Sequence, residues 1–204
     1  MVQETYYIKA QAAGGGGSVG ATLMKTGQTI SYGTGDDGDI EAGRATDFLT
    51  LASNNPFGNT NRFTDVLGTQ VYSDKIFIDW STYDGTTVLG YGDSPFSALL
   101  WDDCIDEALA TSIGSYTSGW RLPNTNEAWN IINMSVTTNQ PFSYAPFNQS
   151  VFLKNQYDFW TSNSSGSAYW IDGFRYREIR HSNKSNAKNY FPVRDFTVTG
   201  TTLT

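Results

Sequence analysis

The residues best suited to chemistry lie between Tyr169 and Lys188. Tyr169, Trp170, Phe174, Arg175, Tyr176, Arg177, Arg180, His181, Asn183 and Asn186 fall in that one stretch. Aromatic rings supply stacking area, while arginine and asparagine supply adaptable hydrogen bonds. The mixture is that of recognition surfaces. The stretch is also locally basic on an acidic chain, which suits an anionic glycan. Tyr169, Trp170, Arg175, Tyr176, Arg177, Arg180, His181 and Asn183 are therefore the candidate ligand-binding residues. The competing reading is packing, because in a strand only every second side chain can face outward.

A second cluster is Asp36-Asp37-Gly38-Asp39-Ile40-Glu41. Hard oxygen ligands at alternating positions are what Ca²⁺ takes. The spacing is not that of an EF-hand loop, and a hydrogen-bonded Asx turn accounts for the same residues. No cofactor is expected, with Ca²⁺ as the alternative. Catalysis has few candidates. His181 is the one histidine, it is expected in a polar, exposed loop, and any Ser-His-Asp triad would have to use it. No G-x-S-x-G elbow is present. Cys104 is the one cysteine, so no intrachain disulfide can form. It sits in an amphipathic pattern, where a small buried apolar residue is expected. The chain is read as non-enzymatic. Paired-carboxylate glycan cleavage is kept as an alternative, since any two of 20 acidic residues could meet in the fold.

The net charge of −7 repels phosphate backbones, so nucleic acid is not an expected partner. No stretch approaches the roughly 20 apolar residues of a membrane span. Residues 1–10 lack the basic and apolar regions of a signal peptide, so synthesis without export is expected.

Those residues need elements to hold them. Val2–Gln11 contains Tyr6, Tyr7 and Ile8, and Gly14–Ser18 has the composition of a flexible linker. Residues 1–20 are read as an arm and linker, and residues 21–204 as one domain. Strands are expected at 21–32, 75–80, 86–91, 157–161, 167–176 and 189–199. A helix is expected from Asp102 to Ser112, with Ile105, Ala108 and Leu109 facing the core. A second begins after Asn124, where Glu127 three residues on completes a capping-box pattern and Ala128, Ile131 and Ile132 form the buried stripe. Strands, two helices and strands again make an α+β order.

Four runs carry a family resemblance. They are Gly119-Trp120-Arg121-Leu122-Pro123 before the capped helix, the upstream Trp101–Leu109 segment, Phe159-Trp160-Thr161-Ser162, and Val193-Arg194. In these runs and their order the chain resembles the Lcl C-terminal-domain-like family of bacterial surface proteins and phage particles, over residues 22–197. The resemblance implies a C-type-lectin-like fold, with two helices, small antiparallel sheets and long loops, in which strands near Leu23 and Phe196 pair. It implies ligand binding and attachment rather than catalysis. The resulting expectation is a phage virion surface protein, a fibre or decoration component. Its arm would dock to other virion proteins, its domain would bind a host surface glycan or protein, and it would form a homo-oligomer. A bacterial extracellular or cell-surface adhesin that binds polysaccharide is the alternative. In the Trp-Arg-Leu-Pro run itself, Trp120 and Leu122 are expected to be buried, Arg121 to reach a carboxylate or carbonyls, and Pro123 to end a strand.

Overall fold

The computed structural model describes residues 31, 33–40, 55–67, 75–93, 98–132, 158–172 and 178–204. In chain order these form α1 (Asp37–Ile40), β1 (Phe63–Asp65), β2 (Ile76–Asp79), a 3-10 turn (Trp80–Thr82), β3 (Thr87–Gly92), α2 (Trp101–Leu109) and α3 (Thr125–Asn130). They continue with β4 (Asp158–Ser165), β5 (Ser167–Asp172), β6 (Glu178–Ser182), β7 (Val193–Thr199) and β8 (Thr202–Leu203). The result is a small α+β domain in which α2 and α3 accompany two antiparallel sheets. One sheet has the order β1-β2-β3-β7-β8 and curls into a half-barrel, and the other has the order β4-β5-β6. The expected arm and linker, the strand near Leu23 and its pairing, and Arg175, Tyr176 and Arg177 lie outside the described residues.

Burial explains why the strands sit as they do. Ile76, Phe77, Ile78 and Asp79 are all buried, so β2 is covered on both faces rather than on one. On one face Phe77, Leu89, Tyr91 and Val193 meet Ala128, Ile131 and Ile132 of the α3 segment and Phe159 and Ile171 of the smaller sheet. On the other face Ile76, Ile78, Val88 and Phe196 pack with Trp80, Ile113 and Trp120. The smaller sheet turns its opposite face, with Trp160, Ala168 and Trp170, toward Trp101, Cys104 and Ala108 of α2. Two glycines permit the second of these contacts. A Cβ on Gly92 would lie 2.7 Å from Ile113 and 2.9 Å from Trp120, and one on Gly90 would collide with the Phe196 ring.

An ion pair ties the frame together. Arg62 donates through Nε and Nη2 to the Asp79 carboxylate at 2.9 and 2.7 Å, and Nη2 also donates to the Asn130 carbonyl at 2.8 Å. Asn130 Nδ2 donates to Asp79 at 2.8 Å. Arg62 and Asp79 are both buried, so the shared hydrogen bonds are what make this burial tolerable.

Several expectations need correction. Helix α2 ends at Leu109, not Ser112, and Leu109 is 60% exposed. The buried stripe of α2 is Trp101, Cys104 and Ala108, one turn apart along the helix. Residues 178–182 form β6, so His181 lies in a strand rather than a loop. Strand β4 continues through Ser165 and turns only at Gly166, whose φ of 81° suits a residue without a Cβ.

Candidate ligand-recognition site

The Trp-Arg-Leu-Pro run is consumed by the fold. Trp120 and Leu122 are buried, and Trp120 Nε1 donates to the Tyr116 carbonyl at 2.9 Å. Arg121 meets Glu127 in a bidentate pair, with bonds of 2.7 and 2.8 Å, and also reaches Asp195 at 3.1 Å. Glu127, the largest influence, raises the guanidinium pKa above its ordinary value. The same Glu127 accepts from Asn124 N at 2.8 Å, while Asn124 Oδ1 accepts from Glu127 N at 2.9 Å. The capping box is therefore present in full, and Arg121 clamps its carboxylate. Gly119 has φ 82°, and a Cβ there would lie 3.1 Å from Arg194 Nε. The Arg194 guanidinium in turn stacks on Tyr116 and Phe196, 4.9 and 4.7 Å from their ring centres.

The stretch singled out for ligand binding divides between the two faces of the smaller sheet. Trp170 pairs with Trp160 and Arg180, and Tyr169 pairs with His181 one residue along. Trp170 is 8% exposed and packs on the α2 side. Its cationic neighbours are already engaged. Lys188 Nζ lies 3.5 Å from the Trp170 ring centre and 3.5 Å from Asp158, and Lys184 Nζ lies 3.8 Å from the Trp101 ring centre. Arg180 is ion-paired with Glu178. On the other face, partly exposed Tyr169 and exposed His181 meet edge to face, with centroids 6.3 Å apart. Asn183 is exposed, and its Oδ1 accepts from Ser185 N at 3.1 Å. Among the described residues Arg180 and Lys188 are thus each paired with a carboxylate, and Trp170 lies on the opposite face from Tyr169 and His181.

The acidic segment is a capped helical turn rather than the expected Asx turn, with Asp36 just before α1, and Glu41 lies outside the described residues. Asp36 accepts from Asp39 N at 2.9 Å and from Gly33 N at 3.2 Å, and Asp39 accepts from Gly35 N at 2.9 Å. Among the described residues no three His, Cys, Asp or Glu side chains are grouped to hold a metal. Cys104 is fully buried, and that burial pushes its thiol pKa up to about 12.

A cleft of about 440 Å³ opens elsewhere, lined by both edge strands of the half-barrel, β1 and β8. Its walls come from residues far apart in sequence: Phe57, Asn59, Thr64, Asp65, Val66, Trp80, Tyr116, Thr201, Thr202 and Leu203. Phe57 and Trp80 have ring centroids 4.9 Å apart. Trp80 Nε1 donates to Thr64 Oγ1, and the Tyr116 hydroxyl donates to the Leu203 carbonyl at 3.3 Å. Among the described residues Asp65 is the one charged lining residue, and Lys75 Nζ holds it at 2.5 Å. No compositional signal pointed to this cleft.

No protein-family model matches the chain, and no curated protein matches its sequence.

Proposed function

We propose that the chain is a non-catalytic recognition domain of the C-type-lectin-like class, related to the Lcl C-terminal-domain-like family, which attaches a phage particle to its host surface. One observation carries this reading: the four runs behind the family resemblance are bonded to one another. Arg121 and Val193 exchange backbone hydrogen bonds of 2.9 and 2.8 Å, and Ser162 N donates to the Pro123 carbonyl at 2.8 Å. Trp101 Nε1 donates to the Thr161 carbonyl at 2.7 Å, and Trp160 Nε1 donates to the Leu99 carbonyl at 3.2 Å. Runs scattered over some ninety residues of sequence thus act as one frame, as expected when a shared motif set encodes a scaffold on which binding surfaces vary.

The particle reading draws on residues 1–20, where a short apolar run around Tyr6–Ile8 is joined to the domain by Gly14–Gly17. In this proposal the run docks to another virion protein, most simply by strand addition, and particle assembly supplies the homo-oligomer. Immunogold labelling of particles released from the producing cells, with antibody raised against the chain, tests it. Label on the particle exterior is expected. Label confined to the producing cell's envelope would replace the particle reading with the polysaccharide-binding adhesin. Turnover of a polysaccharide by the pure chain would replace both with a glycan-cleaving enzyme.

A further inference from the structure

We infer that the cleft bordered by the edge strands β1 and β8 binds an uncharged saccharide unit. The inference rests on the recognition reading above and assigns its ligand chemistry. The volume of about 440 Å³ falls in the range of roughly 300–1,000 Å³ typical of small-ligand pockets. The cleft is also built in advance. Asn55 is buried, and its side chain ties down the turn that carries two of the lining residues. Asn55 Oδ1 accepts from Phe57 N at 3.1 Å and from Asn59 N at 3.2 Å, while Nδ2 donates to the Asn59 carbonyl at 2.8 Å. With its backbone held, Asn59 presents a side-chain amide that makes no hydrogen bond among the described residues. Thr64 Oγ1 accepts from Trp80 and keeps its own proton to donate.

The lining chooses among ligands. Phe57 and Tyr116, both partly exposed, offer ring surface against which the C–H face of a sugar can stack, and the buried Trp80 supports Phe57 from below. A wholly apolar guest would leave the Asn59 amide and the Thr64 hydroxyl desolvated without partners. An anion would meet Asp65, and a cation would have to compete with Lys75 for it. A neutral ring carrying several hydroxyls satisfies both the apolar and the polar walls. Thr202, exposed on β8, forms the lip.

The test uses the full chain on a printed array of neutral, uronic-acid, sialylated and phosphorylated glycans, together with Thr202→Trp, which fills the mouth, and Asn59→Ala. Melting curves verify that each variant is folded. Binding to a subset of neutral glycans is expected, with little dependence on salt. Each variant should weaken it by roughly tenfold or more. Folded variants that bind neutral glycans as tightly as the wild type would overturn the cleft assignment and leave the recognition reading standing. Binding confined to charged glycans with steep salt dependence would do the same. If the chain binds host cells but no glycan on the array, the saccharide inference falls alone. If it binds neither, both fall.

Discussion

Trp120 illustrates how single side chains hold this molecule. It lies against Phe196 with ring centroids 6.1 Å apart and reaches β3 where Gly92 leaves room. Replacing it with alanine removes a fully buried indole and leaves a cavity, which costs about 3–5 kcal/mol. The denaturant midpoint of Trp120→Ala should fall accordingly, and an unchanged midpoint would mean that the indole is not an anchor. Cys104 makes a second case. A buried thiol with a pKa near 12 carries almost no thiolate at neutral pH. Ellman's reagent should leave the native protein untouched and modify one thiol per chain in guanidinium. Rapid native-state labelling would contradict that burial. The sequence context of Cys104 already suggested burial. The partners of Arg121 were foreseeable only as a class: Glu127, its bidentate partner, was legible only as a capping residue, and Asp195 lies in a strand 74 residues away.

The β2–β3 connection is held by one exposed carboxylate. Asp84 accepts from Thr87 N at 2.7 Å, from Thr86 N at 2.8 Å and from both threonine hydroxyls at 2.9 Å. These bonds, the one from Thr87 N first, hold its pKa well below the usual carboxylate range. A carboxyl depressed in the folded state stabilises fully above its unfolded pKa of about 3.9, and that contribution is lost as pH falls toward the folded value. Urea midpoints should therefore drop between neutral pH and pH 3 by more in the wild type than in Asp84→Asn. Equal drops would show that Asp84 does not support the turn.

Local chemistry made some elements legible and hid others. Helix α3 could be read from Asn124 and Glu127 because a capping box is complete within four residues. The expected stripe of α2 holds at Ala108 and, partly buried, at Ile105, but not at Leu109, which follows the apolar periodicity yet sits where the helix ends and is 60% exposed. Strand β6 escaped notice because Glu178-Ile179-Arg180-His181-Ser182 forms a sheet edge with three exposed residues and no buried one. Edge strands of this kind carry charge rather than a clean alternation. The cleft could not be read at all, since its walls gather residues 57–66, 80, 116 and 201–203 through sheet pairing.

At the scale of the whole molecule, the smaller sheet is packed on one face by α2 and on the other, at Phe159 and Ile171, by the α3 core, leaving its β6 edge exposed, and the half-barrel is filled on both faces. This leaves recognition to loops and rims on a rigid frame, the usual division of labour between scaffold and site. The proposed docking of residues 1–20 belongs to this scale too. Deleting residues 1–13 should leave the melting temperature of the domain unchanged and abolish incorporation into particles; normal incorporation would end the docking proposal. The most direct measurement of the proposed attachment function is binding of the labelled chain to cells of the strain that would support the particle, with particle adsorption followed in the same experiment. The expected result is saturable binding, with excess chain blocking adsorption. Absence of saturable binding, together with undiminished adsorption in excess chain, would contradict the attachment function.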